Sequence, residues 1–536
     1  MAGDIDRRRW LEGSLLGVVG GVGLLRPGAG TAGPKADSPA DKTHRGSPAA
    51  FGIHVVDEQT GRGVPLVELR TTNSVRFYTD SAGYTAVEDP GLMSQKVYFF
   101  VSSPGYEYPK DGFGYAGVAF DVRPGNTTTV RIHRTNIAQR LYRATGEGTY
   151  RDSVILGRKT PIRQPLLNGK VTGQDSVLAT VYRGRIYWIW GDTGRLAYPL
   201  GNFRSSGAMS DLPSHGGLPP EVGINYNYFT DKSGFCRAMC PLASEPGGVV
   251  WLGGLTVIPG PKGAELMVAH YSRRASLTKM LEHGLALWDD KMQIFRKYSV
   301  YAYHETWRML GGHPAVYVEA GKEYRLFAAP STHFPTVRVP ATLSAIVDSS
   351  RYEAFTCLAP GTRYAKRQSQ VERTSNGAPI WGWKRDTDPI NELQERELIS
   401  AGLIKPSEAH FQIVDADTRK PLDWAGGSFY WNDYLHKWIM IGGQFGGTSL
   451  LGEIWFSCAD QPTGPWRHAR KIATHPDYSF YNPTQLPFFD QQGGRIIYFQ
   501  GTYSNTFSGN SHPTPRYDYN ELMYRLDLSD ARLRHL

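Results

Sequence analysis

Arg185-Ile186-Tyr187-Trp188-Ile189-Trp190-Gly191-Asp192-Thr193 decides how this chain is read. An aromatic and β-branched run of strand length stops at a Gly-Asp turn, and it closes a longer strand region spanning residues 177–193. The same plan recurs downstream: a small-residue entry, an aromatic-aliphatic strand, a turn and another strand. A second run begins at Val249-Val250-Trp251-Leu252-Gly253-Gly254 and continues through Leu266-Met267-Val268-Ala269-His270. A third pairs Pro314-Ala315-Val316-Tyr317-Val318 with Tyr324-Arg325-Leu326-Phe327. A fourth holds Phe429-Tyr430-Trp431, Lys437-Trp438-Ile439-Met440-Ile441 and Glu453-Ile454-Trp455-Phe456-Ser457-Cys458-Ala459. The last carries Arg495-Ile496-Ile497-Tyr498-Phe499 and Glu521-Leu522-Met523-Tyr524. Divergent repeats of this kind are how radially arranged four-stranded blades look in sequence, and five are counted. One helix is expected between them, over residues 389–399.

Upstream the spacing tightens. Residues 51–134 alternate short β-type runs with turn signals, as in Gly52-Ile53-His54-Val55-Val56-Asp57 and Val97-Tyr98-Phe99-Phe100-Val101, which suits a small antiparallel sandwich. The expected fold class is therefore all-β, an N-terminal Ig-like β-sandwich (50–135) followed by a five-bladed β-propeller (158–530), with 136–157 joining them. Ahead of both, Arg7-Arg8-Arg9-Trp10-Leu11 precedes a Gly-rich, weakly apolar stretch too short to span a bilayer, a twin-arginine-type signal peptide over 1–33. Residues 34–49 read as a polar linker. A periplasmic or secreted protein follows, with no stable membrane insertion.

Composition narrows the function classes. The 59 basic and 50 acidic residues leave +9, but without a Lys/Arg cluster, so nucleic acid is not an expected partner. Aromatics make up 12% of the 536 residues, which suits sugar-binding surfaces. The four cysteines are too few for a disulfide scaffold; Cys236 and Cys240, spaced C-x3-C, are expected as buried thiols or a local disulfide. No metal signature, cofactor motif or phosphate-binding loop stands out, and the protein is expected to be a monomer without cofactor.

A propeller gathers the starts of its inner strands at one end of a central channel, so chemistry is sought at strand entries. Asp175, in Thr172-Gly173-Gln174-Asp175-Ser176, precedes the first strand of the opening run, and Asp192 ends the next. Paired carboxylates supply the acid and the base or nucleophile of glycosidic cleavage; each Asp beside Gly is equally suited to capping a turn. Glu305 and His313 precede the third run, the first as a third carboxylate and the second as a hydroxyl-binding residue. Tyr481 and Asn482, and then Arg516, Tyr517 and Tyr519, are candidate sugar contacts before and within the last.

Thr172-Gly173-Gln174-Asp175-Ser176 with Trp188-Ile189-Trp190-Gly191-Asp192-Thr193 resembles the opening blade of the DUF4185 family, which includes the endo-D-arabinanases of glycoside hydrolase family 183. The segment from Glu453 to Trp466 is similar to a late blade of five-bladed glycosidases of families 43 and 117. The order Val56-Asp57-Glu58-Gln59-Thr60-Gly61-Arg62, then Thr79-Asp80-Ser81-Ala82-Gly83-Tyr84, then Ser103-Pro104-Gly105-Tyr106, within 50–135, resembles a carboxypeptidase regulatory-like, Cna B-type domain. The first resemblance implies that Asp175 and Asp192 are the catalytic pair of a glycoside hydrolase acting on a poly- or oligosaccharide. The alternatives are a polysaccharide lyase on the same scaffold, with Arg516 and His313 serving a uronic acid, or a non-catalytic carbohydrate-binding protein.

Overall fold

The computed structural model describes residues 49–242, 247–329, 332–534 and 536. The signal-peptide reading and all but the end of the linker lie outside the described residues.

After the sandwich come a small sheet of Val171–Gln174, Thr193–Arg195 and Tyr198–Asn202 and five larger sheets that follow one another along the chain. Blade I orders Leu178–Tyr182, Arg185–Trp190, Ser206–Asp211 and Asn227–Tyr228, and blade II is the antiparallel meander Val249–Pro259, Glu265–Arg274, Met280–Asp289 and Ile294–Val300. Blade III runs Ala315–Glu319, Lys322–Phe327, Val337–Pro340, Glu353–Thr356 and Gly382–Arg385. Blade IV places Trp424–Asn432, Lys437–Gln444, Ile454–Ala459 and His468–Ala473 in sequence, with Val414–Asp415 on its outer edge. Blade V comprises Ser479–Gln485, Ile496–Ser504, Asn520–Asp527 and, from far upstream, Gln139–Arg143.

Packing closes these sheets into a ring. Ile189 and Phe229 of blade I share a core with Tyr271 and Trp288 of blade II. Val268 and Leu285 then meet Phe327 and Val339, Leu326 and Phe355 meet Phe429 and Trp438, and Ile441 and Phe456 meet Phe480 and Phe499. Tyr498 and Met523 of blade V finally pack on Trp188 and Ala208 of blade I. Both faces of every blade are thus buried against a neighbour, which is why the strand runs read as almost continuous aromatic-aliphatic stretches. Each such side chain contributes roughly 1.5–3 kcal/mol by leaving water.

The fold is an all-β sandwich and five-bladed propeller. In the sandwich, Phe51–Asp57 lies antiparallel to Tyr84–Val87 and parallel to Thr127–Arg134, and the second sheet orders Arg76–Tyr78, Glu68–Thr71, Lys96–Ser102 and Gly117–Asp121. Ile53, Val55, Leu69, Phe99 and Val130 fill the space between the sheets.

The stretch expected only to join the two units does more than that. Its strand Gln139–Arg143 pairs antiparallel with Asn520–Asp527, so the fifth blade is completed by residues that precede the first. From this strand buried Arg140 donates to the carbonyls of Pro65 and Pro104, both at 3.1 Å, locking the sandwich to the propeller. The inserted helix forms over Glu392–Ser400. Its capping box is complete: Gln394 N donates to Asn391 Oδ1 at 2.8 Å and Asn391 N donates to Gln394 Oε1 at 3.0 Å. Cys236 and Cys240 are buried free thiols rather than a disulfide, and burial pushes each up to about 12.

Candidate active site

Three inner strands bulge where they enter the central channel. The pairing register slips between Gly253 and Thr256, between Trp424 and Gly427, and between Tyr481 and Thr484. Bulges re-aim side chains and free backbone at the rims of closed sheets. Here they border a cavity of about 200 Å³ to which every blade contributes, through residues such as Ser176, Trp251, His313, Gly427 and Tyr481. The opposite mouth of the channel holds a larger cavity of about 670 Å³, and His313 lies on the wall of both. Its Nε2 is 2.9 Å from Thr484 Oγ1, and burial pulls it down to about 4, so the imidazole is a neutral divider between the two mouths.

Asp175 and Asp192 stand together behind the wall of the smaller cavity. Asp175 is wholly buried, with Tyr481 donating its hydroxyl to Oδ2 at 3.1 Å and Oδ1 unpartnered among the described residues. Gly191 is required beside it, because a Cβ there would fall 2.3 Å from Asp175 Oδ1. Asp192 keeps an exposed edge, 5% of its surface, and accepts from Trp251 Nε1 at 2.9 Å. Tyr481 and Trp251 both line the cavity, so each carboxylate reaches it through one aromatic donor. Burial raises both acids, Asp192 to about 7 and Asp175 well above the carboxylate range, where the charge of Asp192 adds to the effect. Both groups therefore favour the protonated form more than ordinary carboxylates do.

The backbone around the pair is held in unusual conformations. Ser176, Asn482 and Tyr519 have φ of 57°, 51° and 61°, the left-handed region that costs non-glycine residues energy and that clusters at functional sites. Asn482 Nδ2 donates to Ser176 Oγ at 2.7 Å, and Tyr519 lies close to Asp175. Tyr481, Asn482 and Tyr519 therefore gather around Asp175.

Other expected residues go elsewhere. Glu305 spends Oε1 on the backbone N–H groups of Thr306, Trp307 and Arg308 and pairs Oε2 with Arg308 Nε at 2.7 Å. It caps its own turn and is absent from the cavity wall. Arg516 pairs with Glu147 of the joining segment at 3.3 Å, and Tyr517 accepts from Leu66 N and donates to Thr79 O of the sandwich. Consequently no Lys or Arg lines the smaller cavity among the described residues.

Sequence reasoning missed three features. Glu521, fully buried in the last blade, accepts from Thr502 Oγ1 at 2.9 Å, and burial lifts it to about 8. Thr502 in turn accepts from Ser176 N at 2.9 Å, which ties Glu521 to the turn holding Asp175. The only signal was a Glu inside an aromatic-aliphatic strand. The second and third are the cavity imidazoles His270 and His333, the latter bonded to Glu392 at 2.8 Å across 59 residues of sequence. Among the described residues no three His, Cys, Asp or Glu side chains converge as a metal site, and no helix is long and apolar enough to cross a membrane.

No family model matches the chain, and no curated protein matches it. Among solved structures it is similar to a Phanerochaete chrysosporium exo-β-1,3-galactanase with β-1,3-galactotriose, at 12% identity over 68% of this chain and 65% of that one, TM-score 0.35. A family 43 β-xylosidase/α-arabinofuranosidase from a compost metagenome, in complex with xylotriose, is 11% identical over 62% and 87% of the two chains, TM-score 0.30. An arabinanase from Bacillus subtilis is 9% identical over 67% and 95%, TM-score 0.30. The propeller assignment rests on the closed ring of blades rather than on these scores.

Proposed function

We propose that this protein is an exported glycoside hydrolase acting on a neutral poly- or oligosaccharide, with Asp175 and Asp192 as its carboxylate pair. One observation carries the reading: two buried acids with raised proton affinity, joined by Tyr481 and Trp251 to a cavity at the channel mouth. Raised carboxyls near an ionisable partner are what protonation of a glycosidic oxygen at neutral pH requires. Asp175, the deeper group, retains the proton: Tyr481 gives its hydroxyl proton to the glycosidic oxygen and takes up the proton of Asp175, the hydrogen bond between them reversing. Asp192, with its exposed edge, is the ionised partner that acts as base or nucleophile.

The lyase reading would use Arg516 to neutralise a substrate uronic acid, and Arg516 is instead paired with Glu147. Digestion of arabinan, galactan, xylan and polygalacturonate, read by reducing-end and ultraviolet absorbance assays, separates the classes. New reducing ends without unsaturation support hydrolysis. Unsaturated products identify a lyase, and neither product on any glycan overturns the enzyme reading.

Export through the twin-arginine route belongs to the same proposal. A fusion of residues 1–49 to a reporter active only when exported folded is expected to lose its extracytoplasmic signal when Arg7, Arg8 and Arg9 become Lys, which keeps charge but removes the guanidinium fork. Retained signal rules that route out.

A further inference from the structure

Two imidazoles on the cavity wall each have one ring nitrogen committed and one without a partner among the described residues. In blade II, His283 Nε2 donates to Ala302 O at 2.9 Å, which leaves its Nδ1 as an acceptor. His270 Nε2 donates to that Nδ1 at 3.1 Å, so His270 Nδ1 carries a lone pair, buried and unpaired. Burial pulls His270 down to about 3, which keeps the ring neutral.

His333, in blade III between Lys322–Phe327 and Val337–Pro340, repeats the arrangement. Its Nδ1 lies 2.8 Å from Glu392 Oε1, and an ionised carboxylate only accepts, so Nδ1 is the donor. The pair is enclosed, with 6% and 7% of the two side chains exposed, and His333 Nε2 is buried without a partner. Both rings line the same cavity, in company with neutral residues only. Buried polar atoms left unpaired cost free energy that a ligand recovers by pairing them.

We propose that His270 Nδ1 and His333 Nε2 each form a hydrogen bond with a hydroxyl group of an uncharged sugar seated in the cavity, and that Glu392, delivered by the inserted helix, is a positioning residue that holds His333 Nδ1 and so fixes the orientation of the ring. This deepens the carbohydrate reading of the site and rests on it, but it asks nothing of the carboxylate pair.

The test is calorimetric titration of the full chain with methyl glycosides of arabinose, galactose and xylose and with their monodeoxy analogues. At least one parent sugar is expected to bind saturably. H270Q keeps the donor to His283, and H333N keeps the donor to Glu392, while each removes the unpaired nitrogen. Each is expected to weaken binding about tenfold. E392L is expected to match H333N, whereas E392Q, which still offers an acceptor, restores binding. For each His variant, the one monodeoxy sugar lacking the partnered hydroxyl is expected to bind wild type and variant alike, a selectivity that a merely structural role would not produce. No saturable binding by the wild type, unchanged affinity in both His variants, or an equal loss for every deoxy sugar overturns the proposal. Binding with this pattern but without glycan hydrolysis sinks the hydrolase reading alone. Hydrolysis with unaltered binding in the His variants sinks this one alone.

Discussion

Tyr481 is where the wall of the cavity and the buried acids meet. Its hydroxyl donates to Asp175 and stabilises the ionised form, so removing it raises that acid further. With Asp175 as proton donor, Y481F is expected to lower kcat by about 10–100-fold, the range of a lost general-acid contact. The alkaline limb of the kcat/KM profile should also move to higher pH. Unchanged turnover with an unmoved limb would separate Tyr481 from the chemistry. In sequence Asp192 follows Gly191 at the end of an aromatic strand run and Asp175 immediately precedes the first strand of the opening run, places where a carboxylate is conspicuous. Glu305 looked equivalent until Arg308 and three backbone N–H groups claimed it, a local use of acid that sequence does not separate from catalysis.

At the scale of elements, Gln139–Arg143 joins three things at once: it is the outer strand of blade V, the seal of the ring and the seat of Arg140. Truncation by R140A strands the buried carbonyls of Pro65 and Pro104, so the expected loss is about 2–4 kcal/mol in denaturant-induced unfolding. A change within about 0.5 kcal/mol would mean that the sandwich is not coupled to the ring through this residue. Sequence made the blades legible through their apolar runs, since burial on both faces leaves a strong pattern. The closing strand was illegible because its partner lies nearly four hundred residues downstream and pairing across such a distance leaves no local mark. The helix Glu392–Ser400 was readable from its cap and composition, but not the reach of Glu392 to His333. That Arg516 pairs with Glu147 and Tyr517 with the sandwich is invisible from their own segment, because both partners lie hundreds of residues upstream.

Over the whole molecule the buried acids set a pH dependence of stability. Glu521 and Asp490 are raised to about 8, and Asp192 to about 7, each by burial. The native state therefore holds protons that the unfolded chain has already released, and stability falls as pH rises from the ordinary carboxylate range to these values. Buried neutral His270, His313, His410 and His475, pulled down to between about 3 and 4, act the other way, but only below the ordinary histidine value of 6.5. Between pH 6.5 and 8 only the acids remain, so the melting temperature is expected to fall across that window, and E521Q should flatten the fall. A melting temperature rising over the same interval would contradict the placement of these groups.

The most direct measurement is of reducing ends released from a neutral glycan panel by wild type, D175N and D192N, with circular dichroism confirming the fold. The carboxylate-pair account predicts that the wild type cleaves at least one glycan and that each variant, still folded, loses about a thousandfold or more of that rate. Near-normal turnover in both folded variants would contradict it.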